Sequence, residues 1–185
     1  MPYFPLFVDL VGKDCLIVGA GTVAVRKARS LLNFGAKLRV VDPKPSESIK
    51  ALSLTLLSRP YRSPEDLTGA TVVIAATDKK ELNNLVAQDA RAAGIPVNVV
   101  DDPERCTFFF PALVRRGELV AGISTAGCCP RFSALFREYL DAALPPNVGE
   151  VLELLSLERQ RLPSSERIQR LDSLIVPLLT GIFVL

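Results

Sequence analysis

The sequence contains no histidine. That absence removes Ser-His-Asp hydrolysis, histidine-ligated catalytic zinc and imidazole acid–base chemistry together. Any chemistry must run on carboxylates, Ser/Thr hydroxyls, cysteine, lysine, arginine or a bound cofactor. An excess of one charge is missing too: 22 Lys+Arg against 20 Asp+Glu leave +2 over 185 residues. This balance offers no basic footprint for phosphate backbones, so no nucleic-acid partner is expected. Cysteines are few, and Cys15, Cys106, Cys128 and Cys129 suggest no disulfide framework, since Cys15 lies in an apolar run and Cys128 and Cys129 are adjacent. No basic stretch followed by a long apolar one opens the sequence, so no signal peptide is expected and the location is read as cytoplasmic. The most membrane-like run, Leu174–Leu185, holds 12 residues interrupted by Pro177 and Gly181, short of the ~20 that span a bilayer. It is expected to pack on the body of the protein or on a partner chain, with interfacial lipid contact the alternative, and no membrane partner is assigned.

What is present is a foldable core: 49% of residues are hydrophobic and 23% charged, which excludes disorder. Short apolar runs of strand length (Cys15–Val18, Leu38–Val41, Leu54–Leu57, Thr71–Ala76 and Pro96–Val100) alternate with helix-spaced segments at Ala24–Phe34 and Lys79–Ala93. Strands apolar throughout and separated by helices predict a parallel sheet covered on both faces, a Rossmann-like doubly wound α/β fold. The pattern then changes. Phe108–Val114 and Leu119–Ser124 read as a hairpin turning at Arg115–Glu118, and helices are expected from Pro130, over Val148–Leu162 and over Ile168–Leu179. The organisation is therefore a nucleotide-binding domain at 1–112, a hairpin-and-helix region at 113–145 and a helical C-terminal region at 146–185.

The sequence Gly19-Ala-Gly21-Thr22-Val23-Ala24 follows the first strand and opens the first helix. That order suits a dinucleotide: Gly19 permits the tight turn, Gly21 lets backbone N–H groups approach a pyrophosphate, and Ala24 lets helix and strand pack closely. Asp42, ending the second strand, suits the ribose hydroxyls and favours NAD over its 2′-phosphorylated form, a preference blurred by Lys44. Arg26 and Lys27 near the helix start fit either an adjacent bound anion or a solvated basic face. At the end of the fifth strand, Asn98-Val-Val-Asp101-Asp102-Pro103 brings carboxylates to the edge where open parallel sheets bind ligands. Asp101 is the candidate proton acceptor, with a turn before Pro103 as the alternative. A hydroxyl- and glycine-rich loop, Ser124-Thr125-Ala-Gly-Cys-Cys-Pro130-Arg131, leads into a helix and suits an anionic substrate, or simple helix capping. No acidic or histidine-containing metal cage is present, and no protein metal site is assigned.

The segments VGAGTVAVRKA, IAATD, NVVDDP and FFFPALVRRGELVAGISTAG together resemble the precorrin-2 dehydrogenase family, the amino-terminal module of siroheme synthase, over roughly residues 3 to 160. The resemblance implies oxidation of precorrin-2 to sirohydrochlorin with NAD⁺ as acceptor, and in many members Fe²⁺ insertion at the same site. It implies a catalytic carboxylate at Asp101 and nucleotide contacts at Gly21, Thr22, Val23, Asp42, Pro43 and Lys44. It implies tetrapyrrole contacts at Ser124 and Thr125, and a homodimer formed through the region after the nucleotide domain. The polycarboxylate substrate makes Arg115, Arg116, Arg131 and Arg137 candidates for its acid groups. The loop departs from the family pattern: members often read STGG, a variable residue and Ser-Pro, where this chain has Ala126, Cys128 and Cys129. The residues by themselves leave open a non-catalytic NAD(H)-binding module and a different NAD(P)-dependent reductase.

Overall fold

The structure, a computed structural model, describes residues 4–182. It divides into two compact units, one ending at Phe110 and the other beginning at Pro111.

The first unit contains β1 (Asp14–Val18), α1 (Thr22–Asn33), β2 (Lys37–Val41), the short α2 (Glu47–Lys50), β3 (Thr55–Leu57), β4 (Val72–Ala75), α3 (Lys80–Ala92) and β5 (Val97–Val99). The strands form one sheet in the order β3-β2-β1-β4-β5, and every pairing is parallel. The expected doubly wound fold is borne out. β1 is central and buried on both faces, so it reads as a continuous apolar run rather than an alternation. Its pleat sends Cys15 and Ile17 to a core shared with Ala24, Ala28 and Leu31 of α1, and Leu16 and Val18 to a core shared with Val86, Ala87 and Ala90 of α3. The chain runs outward from β1 to β3, then returns to the other side for β4 and β5. That reversal opens a crevice at the carboxyl ends of β1 and β4, where such sheets bind ligands.

The helix expected from Ala24 begins earlier, at Thr22. The four-residue α2 escaped sequence reading because it is too short to display a period.

The second unit pairs β6 (Ala112–Arg116) with β7 (Leu119–Ile123) in an antiparallel hairpin whose register, Arg116 opposite Leu119, leaves the two-residue loop Gly117-Glu118. Three helices follow: α4 (Pro130–Ala143), α5 (Val148–Arg161) and α6 (Ser164–Ile182). A Cβ on Gly117, where φ is +59°, would lie 3.1 Å from the Gly149 Cα, so bare backbone lets α5 cross the hairpin turn.

One expectation is corrected. The strand predicted over Phe108–Val114 begins only at Ala112. Phe108 and Phe110 instead pack on the α1-side core, and the Phe108 carbonyl accepts a hydrogen bond from Asn98 Nδ2 at 3.0 Å. Side-chain burial and an amide bond hold the segment where a ladder was expected, and Pro111 offers no N–H to extend one.

On α4 the face carrying Phe132, Leu135, Phe136 and Tyr139 is exposed, with the Phe132 and Phe136 rings stacked at 5.9 Å. Within the apolar C-terminal run, Val176, Leu178 and Leu179 are exposed, while residues 183–185 lie outside the described residues. No helix among the described residues is long and apolar enough to cross a membrane.

Candidate functional site

The glycine turn between β1 and α1 is braced from three sides. Gly19 has φ +108°, and a Cβ there would sit 2.3 Å from the Ala76 carbonyl oxygen at the end of β4. Only glycine fits, because both the backbone conformation and the close approach of β4 forbid a side chain. Asp42, half-buried at the end of β2, accepts the Ala20 N–H on Oδ2 at 2.9 Å and the Lys44 N–H on Oδ1 at 2.6 Å. Ser46 Oγ donates to the Ala20 carbonyl at 2.6 Å. The carboxylate thus shapes the turn as well as standing beside it, and each oxygen keeps acceptor capacity for a further donor.

Gly21 is the N-cap of α1, is exposed, and would have nothing within 4 Å of an added Cβ. No side chain caps this helix start, and its first turn carries no acidic residue. The first N–H groups of α1, among them those of Thr22 and Val23, therefore face open space at the positive end of the helix dipole. This bare cradle fits a pyrophosphate. Pro43 and Lys44 are exposed in the loop after β2, on the side where an attached ribose would lie.

At the carboxyl ends of β4 and β5 a cleft of about 720 Å³ opens, lined by Thr77, Asn83, Asn84, Val99, Asp101 and Asp102 among others. Asn83 is buried in the first turns of α3, and its amide closes a ring on the β4 exit. Its Oδ1 accepts the Thr77 N–H at 3.1 Å and the Thr77 hydroxyl at 2.7 Å, while its Nδ2 donates to the Thr77 carbonyl at 3.0 Å. Asn83 was not among the residues expected at the site; an asparagine near the start of a helix that follows a strand was the available signal. Asn84 Oδ1 is buried with no hydrogen-bond partner among the described residues, an acceptor left for a donor entering the cleft.

Asp101 directly follows β5 and is exposed. Its φ of +58° makes it one of two non-glycine residues in the left-handed region among the described residues, the other being Ala126. That conformation costs of order 1–2 kcal/mol in an L-residue, although Asp tolerates it better than most. Strain of this kind collects at functional positions. The neighbouring Asp102 is committed to an ion pair with Arg105 at 2.5 Å. Cys106 ties the same turn down: its Sγ accepts the Val99 N–H at 3.2 Å and lies 3.3 Å from the Val99 carbonyl oxygen. Burial pushes the Cys106 thiol up, which suits a clamp and not a nucleophile.

Of the two cations near the start of α1, Arg26 is exposed and Lys27 is half-buried. Lys27 Nζ lies 4.0 Å from the centre of the Phe110 ring. Burial lowers its pKa to about 8, with Arg26 adding to the shift and Cys106 and Asp101 opposing it.

In the second unit the hydroxyl loop is internally organised. Ser124 Oγ accepts the Ala126 N–H at 3.2 Å, and Thr125 Oγ1 accepts the Cys129 N–H at 3.2 Å, bridging the loop to the start of α4. Arg116 is paired with Asp141 at 2.8 Å, Arg115 Nε donates to the Gly117 carbonyl at 3.1 Å, and Arg137 lies 3.3 Å from Glu138. Arg131 is exposed, with no hydrogen bond or ion pair among the described residues. Among the described residues no group of three or more His, Cys, Asp or Glu could hold a metal ion.

The NAD(P)-binding family model matches residues 6–112. Siroheme synthase from Saccharophagus degradans is 42% identical over 164 residues, covering 87% of this chain and 36% of the relative. Siroheme synthase 1 from Aeromonas salmonicida is 44% identical over 155 residues, covering 82% of this chain and 33% of the relative. The chain thus spans about a third of the length of the curated relatives it matches. Among solved structures, SirC, precorrin-2 dehydrogenase, superposes with a TM-score of 0.75 at 25% identity, covering 94% of this chain and 89% of that one. The resemblance read from the VGAGTVAVRKA and NVVDDP segments is borne out. With a bare glycine cradle, a braced acidic β2 terminus and these relatives, the chain belongs to the NAD(P)-binding family, and is similar to siroheme synthases in sequence and to a precorrin-2 dehydrogenase in fold.

Proposed function

We propose that the protein oxidises precorrin-2 to sirohydrochlorin in siroheme biosynthesis, with NAD⁺ as the acceptor. The observation that carries this reading is Asp101, an exposed carboxylate held in a left-handed conformation beside the cleft, on the same sheet edge as the glycine turn. Bound NAD⁺ supplies a two-electron sink that takes a hydride. The chain supplies the rest. Gly19 and Gly21 shape the cradle for the pyrophosphate, backed by the N–H groups of Thr22 and Val23. Asp42, Pro43 and Lys44 border the ribose, and the Asp42 carboxylate disfavours a 2′-phosphate. Asp101 takes up the proton that balances loss of hydride from the substrate, leaving sirohydrochlorin two electrons more oxidised. Ser124, Thr125 and Arg131 contact the anionic tetrapyrrole, Arg131 being suited to one of its carboxylates.

Insertion of Fe²⁺ as a second substrate would follow with the same carboxylate receiving the displaced pyrrolic protons, the tetrapyrrole nitrogens being the metal's main ligands. The exposed aromatic face of α4 suits a second copy of the chain, giving a homodimer. The four free cysteines suit the reducing cytoplasm.

The test is anaerobic incubation of the purified protein with enzymatically generated precorrin-2 and NAD⁺, following NADH and the tetrapyrrole spectrum, with Fe²⁺ added only afterwards. NADH appearing with sirohydrochlorin is the expected result. Measurable NAD⁺ binding without NADH formation would overturn the reading in favour of a non-catalytic NAD(H)-binding module. A protein-dependent spectral change on adding metal would establish the insertion step.

A further inference from the structure

Lys27 is the half-buried cation of α1, where Arg26 and Arg29 are exposed, and it has no charged partner. Its ammonium makes no hydrogen bond and no ion pair among the described residues, and it rests on the face of Phe110. Such a group is costly to bury without a partner, and a cation resting on an aromatic ring keeps donors free for an anion. The position of Phe110 decides which side of α1 the group serves. After β5 the chain passes through the Asp101–Asp102 turn and Cys106, then lays Phe108 and Phe110 on the α1-side core. Lys27 is therefore covered by the segment that leaves the Asp101 turn, and both Asp101 and Cys106 act on its charge. The glycine cradle lies at the start of the same helix, more than a turn earlier.

We propose that Lys27 is a substrate-binding residue: its unpaired ammonium, held against Phe110 on the Asp101 side of α1, takes a carboxylate of the anionic substrate. The assignment rests on the reaction proposed above. Facing Lys27 are Arg26 from its own helix, Asp101 and Cys106 from the segment after β5, and the uncharged Phe110 ring. Because the pKa in the free protein is lowered to about 8, the ammonium is charged below that pH and loses its charge above it. Carboxylate binding then weakens as pH rises through that range.

The experiment compares the wild-type chain with Lys27→Met, which keeps the stem under Phe110, and Lys27→Arg, which keeps the charge. KM values for precorrin-2 and for NAD⁺ are measured across the alkaline range, and direct binding of uroporphyrin, a stable polycarboxylate of the same class, is titrated by fluorescence. In Lys27→Met the precorrin-2 KM is expected to rise on the order of tenfold, as for loss of one charge-assisted contact. The NAD⁺ KM should stay unchanged, uroporphyrin affinity should fall in parallel, and the alkaline rise of the wild-type precorrin-2 KM should disappear. Lys27→Arg should restore most of the affinity. A wild-type precorrin-2 KM in Lys27→Met overturns the assignment, and so does a rise confined to the NAD⁺ KM, which would place a nucleotide phosphate on Lys27. No NADH from the wild-type chain would remove the reaction reading, and this inference with it.

Discussion

The two glycines of the β1–α1 turn should fail in opposite ways when each is given one methyl group. In Gly19→Ala the new Cβ meets the Ala76 carbonyl oxygen at 2.3 Å and its carbon at 2.6 Å, both backbone atoms of a buried strand end, at φ +108°. A residue forced into such a conformation costs about 1–3 kcal/mol, and overpacking costs a further ~1–3 kcal/mol. The expected loss of about 2–6 kcal/mol is a large part of the ~5–15 kcal/mol that holds an average protein folded. Gly21→Ala differs on every count: φ is −79°, nothing lies within 4 Å, and the methyl group would project into the open cradle. Its stability should stay within about 1 kcal/mol of the wild type, because alanine is a poorer N-cap but restricts the unfolded chain, while NADH affinity falls tenfold or more because the pyrophosphate loses its close approach. Urea unfolding and NADH fluorescence titration on both variants separate the two effects. A Gly19→Ala protein as stable as the wild type would refute the packing argument. A Gly21→Ala protein with unchanged NADH affinity would refute the cradle.

Asp42→Ala removes an acceptor shared by two backbone N–H groups, so the NAD⁺ KM should rise about tenfold with some loss of stability; steady-state kinetics giving an unchanged KM would remove Asp42 from the nucleotide site. Asp101→Gly should leave unfolding free energy within about 1 kcal/mol of wild type, since glycine accepts φ +58° freely, while turnover of precorrin-2 collapses and NAD⁺ binding persists. Turnover surviving in that variant would end the proton-acceptor assignment. A structural carboxylate sits elsewhere in the same unit: the hydrogen-bonded Arg59 guanidinium holds buried Asp66 below the usual carboxylate range, against the opposing effect of burial. The sign follows directly. A carboxyl depressed in the folded state contributes stability above its unfolded pKa of ~3.9 and loses it as pH falls further. Arg59→Ala should therefore destabilise the protein most at neutral pH and least near pH 3 in urea melts, and an equal loss at both pH values would contradict the pairing.

Sequence alone determined the sheet, the turn and the edge. Continuous apolar runs such as Leu16–Val18 and Val72–Ala75 are the mark of strands buried on both faces, so parallel pairing was legible without contacts. The GAG turn opening α1 and the Asp at the end of β2 were legible for the same reason: a dinucleotide site is built from one strand, one turn and one helix start, all local in the chain. Tertiary structure decided what depends on distant partners. Nothing in the sequence told that Asp42 and Ser46 would brace Ala20, or that Ala76 would press on Gly19 from a strand more than fifty residues away. Phe108–Phe110 has strand composition, yet packing on α1 and the Asn98 amide kept it out of a ladder, because side-chain burial outweighed local propensity. The same packing separated Arg26 from Lys27, neighbours of equal charge in the sequence. One points to solvent, and the other is covered by Phe110, because the helical rotation that exposes one position turns the next toward the segment leaving β5.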